Sequence, residues 1–245
     1  MRTYIFILYL FLGMVYQAYS QKKIESGYTI LQKSIQAHDP GNKWSTTNLH
    51  VHIQEPRLSN PHRYSIIRMN NKEHSFELSR SRGQYISKHF IDKEGISTTL
   101  LDNAIITDST LVRRYRLQPE RNFNYQKFYQ QLLGLPMSLN HATIDSLGTV
   151  SKEVFNKTDS YKIALILKEA VFSKYWNVYI SQDEYTILGI EIRFPEDTSK
   201  GERLYFTGVI HINGIKIPRI RHWYEYSDHT YSGSDIIVKT ILDDN

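Results

Sequence analysis

Histidines, carboxylates and arginines in short-range groups are the residues of this chain that carry chemistry. His38-Asp39 is an adjacent imidazole and carboxylate, the pair an acid–base hydrolase uses. In that spacing, just after a helix, such residues more often cap and turn the chain. His50 and His52 are two apart on an alternating segment and share one strand face. Two imidazoles there suit a metal only with further ligands, and no spacing supplies them. The densest group is Arg219, Arg221, His222, Trp223 and Tyr224. Arginine forks can grip a carboxylate or phosphate bidentately, and the rings can line the mouth of a cavity. Arg113, Arg114, Arg116 and Arg121 form a basic run that reads most simply as a solvated face. Arg80, Arg82 and Lys88 lie on strand patterns beside Phe76, Leu78, Tyr85 and Ile86.

No nucleophile-elbow, zinc-helix or phosphate-loop motif occurs. The 245 residues contain no cysteine. Disulfides, thiolate catalysis, cysteine-ligated zinc and a lipidated N-terminal cysteine are therefore excluded. No cofactor and no metal is expected, and no catalytic residue is assigned. The formal net charge of +5 is modest and scattered. It fits attraction to an anionic membrane surface and falls short of a nucleic-acid footprint. A hydrophobic fraction of 40% with 13% aromatics is ample for a core.

Residues 1–20 have the layout of a cleaved secretory signal: Arg2, an apolar run from Tyr4 to Val15, and Ala18-Tyr19-Ser20. The mature chain is expected to begin at Gln21, with 29 basic and 25 acidic residues once Arg2 is removed from the 30 and 25 of the whole chain. A periplasmic or secreted protein, not a lipoprotein, follows.

The elements that must position the candidate residues are mostly strands. Residues 24–38 read as an amphipathic helix with Ile24, Tyr28, Leu31 and Ile35 on one face, stopped by Pro40-Gly41. Leu49, Val51 and Ile53 alternate with His50 and His52. Between Arg63 and Leu101, strand patterns recur about every ten residues with short turns, which predicts an antiparallel meander. Asp108 or Ser109 caps a short helix. PERNFNYQKFYQQLLGLPMSL then predicts a second one, with Phe123, Phe128 and Leu132 on a face and an end at Gly134 and Pro136. After residue 140 the strands return. SYKIALIL is apolar on both faces and is expected centrally. Asn213-Gly214 predicts a tight hairpin pairing Ile212 with Ile215 and Ile210 with Ile217, with Pro218 marking an edge or bulge.

The whole is a mainly β (α+β) chain: one domain over residues 21–245. About ten or eleven strands form a large curved antiparallel sheet or half-barrel round two or three helices. The helices either leave part of the hollow free for an apolar ligand or fill it completely.

Three stretches together carry a resemblance. They are LQKSIQAHDPGNKW, YRLQPERNFNYQKFYQQLLGLPMSL, and GERLYFTGVIHINGIKIPRIRHWYEY followed by SGSDII. The chain resembles an exported bacterial domain-of-unknown-function family met mainly in Bacteroidota. That family's fold is similar to the periplasmic lipoprotein carriers and outer-membrane lipoprotein receptors (LolA/LolB-like), open half-barrels that hold acyl chains. The resemblance implies a non-enzymatic binding or carrier protein for an apolar or amphiphilic ligand, a lipid or acylated molecule, held in the concavity. The cavity wall is expected from Phe123, Phe128, Leu132, Ile210, Ile212, Ile215, Ile217 and Trp223, and the rim from Arg219, Arg221 and His222. Envelope proteins and an anionic membrane surface are further expected partners; nucleic acid is not. The alternatives are an exported hydrolase acting through His38, Asp39 or His222, and an envelope structural or interaction protein with a filled core.

Overall fold

The computed structural model describes residues 25–241, so the signal-peptide expectation lies outside the described residues. Among the described residues twelve antiparallel strands form a single open sheet. The first meander is β1 (Asn48–Gln54), β2 (Tyr64–Asn70), β3 (Ser75–Arg82), β4 (Tyr85–Ile91) and β5 (Ser97–Leu101). The second is β6 (Ile144–Phe155), β7 (Thr158–Val171), β8 (Ser173–Ser181), β9 (Ile187–Arg193), β10 (Gly201–Ile212), β11 (Ile215–Glu225) and β12 (Tyr231–Thr240). β12 pairs with β1 and joins the two, giving the order β5-β4-β3-β2-β1-β12-β11-β10-β9-β8-β7-β6. β5 and β6 are thus opposite edges, and the segment connecting them carries two helices, α2 (Ser109–Tyr115) and α3 (Arg121–Leu133). α1 (Gly27–His38) packs against β6, β8 and β11.

The count is one or two strands above expectation. SYKIALIL is not central: β7 lies one strand in from the β6 edge. Ile163, Leu165 and Leu167 face the core, whereas Ala164 and Ile166 are only half-buried. The Asn213-Gly214 hairpin has the expected register, with φ of 53° and 84° at its two turn residues. Positive φ at both is what a type I′ turn requires. Pro218 does not mark an edge or a bulge: β11 is an interior strand, Pro218 stands opposite Val209 in the β10–β11 ladder, and pairing with β12 begins beyond it at Ile220.

α1 is capped by Ser26, whose Oγ accepts from the Thr29 amide at 3.1 Å. Its buried face is Gly27, Ile30, Leu31, Ser34 and His38. Tyr28 is 46% exposed, contrary to the sequence-based face, because Gly27 makes the close approach to Ile163 and Val150. One core cluster gathers Ile30, Leu31, Leu132, Leu165, Trp176 and Leu204. A second gathers Trp44, Val51, Ile67, Leu133, Ile215 and Ile237. α3 contributes to both, so it is the wedge filling most of the hollow. It ends at Gly134, where a Cβ would stand 2.4 Å from the Trp44 ring.

Candidate functional site

The inner faces of β1, β2 and β3 change from apolar to ionic along their length. Leu49, Val51 and Ile53 lead on to Glu55, and Phe76 and Leu78 lead on to Arg80 and Arg82. Period-two alternation places each set on one face. Glu55, 1% exposed, accepts both Nε and Nη2 of Arg63 at 3.0 and 3.2 Å and the Ser65 hydroxyl at 2.5 Å. It also accepts Arg80 Nη2 at 3.2 Å and the Tyr129 hydroxyl of α3 at 2.9 Å. Arg80 donates further to Ser65 at 2.9 Å and to Tyr129. Burial alone would raise the Glu55 carboxyl. The charges of Arg80 and Arg63, with the Arg63 and Ser65 hydrogen bonds, outweigh it and bring it to about 2. Asp235 moves the other way. Its burial and the Glu55 charge raise it, while Arg57 at 2.6 Å and Trp223 Nε1 at 2.8 Å hold it.

This ionic layer backs an open cleft of about 410 Å³, within the usual range of ligand sites, about 300–1,000 Å³. Five arginines line it: Arg57, Arg63, Arg80, Arg82 and Arg116. Its apolar wall is Tyr125, Phe128, Phe172 and Trp223. Phe128 lies 6.3 Å from Trp223 in a near-parallel stack and meets Phe172 edge-on at 5.3 Å. The Arg57 guanidinium sits 5.9 Å over Trp223, and Arg80 sits 5.7 Å over Tyr125. Phe172 remains 58% exposed and has φ of 62°, an uncommon backbone for a bulky residue. Glu202 is the carboxylate among the residues lining the cleft. A second cleft, about 370 Å³, is lined by Trp44, Gln130, Gln131, Ser138 and Lys168 among others and gathers no comparable charge.

Glu202 stands opposite Glu225 across the β10–β11 ladder. Burial first, then the Glu225 charge, pushes its carboxyl up to about 7, against the pull of Arg57. A carboxyl raised from the usual 4.5 binds its proton more tightly when folded. Its favourable contribution is complete below about pH 4.5 and is lost as pH rises through about 7. Glu202→Gln is therefore expected to be more stable than wild type at pH 8, by about 1 kcal/mol after allowance for partial solvent screening. It should be indistinguishable from wild type at pH 4. Urea melts at the two pH values measure the difference.

The sequence-expected residues divide. Phe128 and Trp223 line the cleft. Phe123 is 47% exposed: Asn122, one position earlier on α3, takes the inward direction instead. Leu132, Ile212, Ile215 and Ile217 are closed inside the core, and Ile210 packs half-buried against it, so they are wall of no open space. Arg219 is exposed, with Nε donating to the Ile237 carbonyl at 3.3 Å. Arg221 is not at a rim. It is 1% exposed, donates Nη2 to the Leu132 carbonyl at 3.3 Å, and burial lowers its pKa to about 10. His222 points to the sheet face opposite Trp223, as strand neighbours must, and bonds Thr207 and Ser234.

The His38 ring lies between the Lys216 carbonyl, 2.9 Å from Nδ1, and the Ile187 amide, which donates to Nε2 at 3.1 Å. That pattern fixes a neutral Nδ1–H tautomer, and burial keeps the pKa low. Asp39 accepts the Lys43 and Trp44 amides. Both groups are committed to structure, which leaves no base for hydrolysis there. His50 and His52 stack at 5.4 Å, and His52 Nδ1 bonds Tyr64. Among the described residues no group of three or more His, Cys, Asp or Glu side chains could hold a metal ion. All four arginines of the basic run are exposed; Arg116 lines this cleft, and Arg114 lines an adjoining one that shares Arg63 and Arg82.

Sequence reading missed Glu55, Arg57, Arg63 and the cleft-facing roles of Arg80 and Arg82. The alternation Phe76, Leu78, Arg80, Arg82 was a usable signal, because it carries two arginines onto a buried face.

An open antiparallel half-barrel, wedged by helices and carrying a cationic, aromatic-walled cleft, defines the class of protein. Residues 2–240 match DUF6503, a family of unknown function, and the chain belongs to that family. No curated protein matches it. Among solved structures it is similar to a domain described as an outer membrane lipoprotein-sorting protein from Vibrio parahaemolyticus. That similarity has a TM-score of 0.50 at 9% identity, over 86% of this chain and 91% of that one. A LolA superfamily protein from Nitrosomonas europaea superposes at 0.48 with 11% identity, over 91% and 96% of the two chains. A DUF1329 family protein from Desulfovibrio piger superposes at 0.45 with 10% identity, over 90% and 94%. At these identities the likeness is one of fold, and the first of the three carries it.

Proposed function

We propose that this protein is a non-enzymatic binding or carrier protein of the cell envelope for an amphiphilic, acylated ligand. The ligand's apolar part lies against Phe128, Phe172 and Trp223, and its polar end meets the arginines. The observation that carries this reading is the cleft itself, in which an aromatic wall and five arginine residues line one open space. The fold shared with the Vibrio parahaemolyticus lipoprotein-sorting domain is consistent with it. The ligand site moves from the concavity at large to this cleft, because α3 fills the rest. Delivery to the periplasm rests on the signal-like residues 1–20. Among the described residues no helix is long and apolar enough to cross a membrane.

Purified mature protein is expected to take up a fluorescent fatty acid. Phe128→Ala is expected to weaken uptake about tenfold or more, since burying an aromatic side chain contributes roughly 1.5–3 kcal/mol and 1.4 kcal/mol is one decade. Titration with acyl chains of several lengths is the measurement. Absence of uptake at every length rejects the reading.

A further inference from the structure

The five arginines of the cleft are not equivalent. Arg63 and Arg80 are bound to Glu55, and Arg57 is bound to Asp235. Arg82 and Arg116 have no carboxylate partner among the described residues. Arg82 makes two long contacts, to Ser87 Oγ and the Tyr125 hydroxyl, both at 3.4 Å. Arg116 is held at the end of α2 in a left-handed backbone conformation, φ 57°, and makes no side-chain hydrogen bond among the described residues. Two guanidiniums facing one cleft with no carboxylate bound to either repel each other. Burial, and then the charges of Arg80, Arg116 and Arg63, lower the Arg82 pKa, with Tyr125 opposing.

The chemistry that satisfies such a pair follows from charge and geometry. A carboxylate brings a single negative charge, enough to offset only one of the two guanidiniums. A phosphate monoester brings about −1.5 to −2 near neutral pH and three acceptor oxygens. It can accept a fork from each arginine at once. We propose that Arg82 and Arg116 form a phosphate subsite, and that the ligand of the cleft ends in a phosphate monoester whose alkyl or acyl portion runs along Phe128, Phe172 and Trp223. The phosphate class rests on the amphiphile reading only for the ligand's tail; the subsite itself rests on the two uncompensated arginines.

Monododecyl phosphate, dodecanoate, dodecanol and inorganic phosphate are the probes, titrated by calorimetry and tryptophan fluorescence against the wild type, an Arg82→Gln/Arg116→Gln double variant and an Arg113→Gln/Arg121→Gln control. The control removes the same charge from exposed positions that line neither this cleft nor the adjoining one. Neither Arg82 nor Arg116 closes a salt bridge, so the double variant is expected to melt as the wild type does. Monododecyl phosphate should bind at least about tenfold tighter than dodecanoate, one decade of affinity being the smallest gap a second charge-assisted fork should give. The double variant should erase that gap, leave dodecanol binding within about twofold, and the control should preserve the gap. Equal binding of dodecanoate and monododecyl phosphate, unaffected by the double variant, overturns the phosphate subsite while leaving the amphiphile reading intact. Inorganic phosphate binding as tightly as monododecyl phosphate, with the same loss in the double variant, supports the subsite. It assigns the source to a water-soluble phosphate and removes the lipid. Failure of all four probes to bind overturns both readings.

Discussion

Glu55→Ala is expected to destabilise the protein by about 3–5 kcal/mol, the cost of leaving a buried cation without its partner. Arg80 is 5% exposed, and its guanidinium is directed at Glu55, Ser65 and Tyr129. Removing the carboxylate strands that charge and also frees Arg63 and the Tyr129 hydroxyl. Urea denaturation at pH 7 measures the loss, and a loss below about 1 kcal/mol is incompatible with a buried network of this kind. Replacing Glu55 and Arg80 together by leucine should recover much of it, because a well-packed apolar pair needs no compensation. The pH dependence has a definite sign. With its carboxyl near 2 in the folded state against the usual 4.5, Glu55 contributes its stabilisation in full above about pH 4.5. That contribution is lost as pH falls through about 2, so wild type and Glu55→Ala should converge in acid.

The second large effect is expected at Asn122. This residue is fully buried near the start of α3 and serves four partners at once. Its Oδ1 accepts from His89 Nδ1 at 2.8 Å, and its Nδ2 donates to Ser97 Oγ and to the carbonyls of Thr98 and Phe90. It thereby pins α3 to β4 and β5. Asn122→Ala leaves those groups unsatisfied in the interior and should cost about 2–4 kcal/mol. Asn124→Ala, on an exposed neighbouring position, should cost less than about 0.5 kcal/mol. His89 adds a second acid-sensitive element. Burial, reinforced by Arg82 and Arg80 and opposed by the Asn122 bond, holds its imidazole near 4. It is neutral when folded at pH 7. Its contribution is present above about pH 6.5 and lost as pH falls through about 4. A His89 ring resonance titrating near 6.5 would contradict this placement.

Much of the fold was legible before any coordinates. Asn213-Gly214 fixed one hairpin residue by residue, because a two-residue turn with positive φ at both positions admits a single register. The alternating runs located the strands, and Asp108 capped α2 as its position implied. The inward face of α3 was misread. Hydrophobicity selected Phe123, while the buried amide Asn122 serves so many partners that it takes the inward direction. SYKIALIL looked central by composition, but its place beside the edge is set by chain order and by β12 returning to β1.

The site was harder. Local pattern singled out Phe128 and Trp223, which line the cleft, and it assigned a rim role to Arg219, Arg221 and His222 because they crowd together in sequence. Alternation then splits such neighbours between the two faces of a sheet, and His222 ends on the side away from Trp223. The arginines that do converge come from the turns and strands around β1, β2 and β3 and from the end of α2, brought to one cleft from positions 57 to 116. By itself the sequence determined a cysteine-free, strand-rich chain with one exact hairpin register and two amphipathic helices to cover its hollow, since these follow from period, turn chemistry and composition. Only the tertiary structure decided that α3 fills most of that hollow and that Arg82 and Arg116 are left without a carboxylate partner among the described residues. Which carboxylate pairs with which arginine depends on contacts between residues far apart in the chain, and no local spacing encodes them.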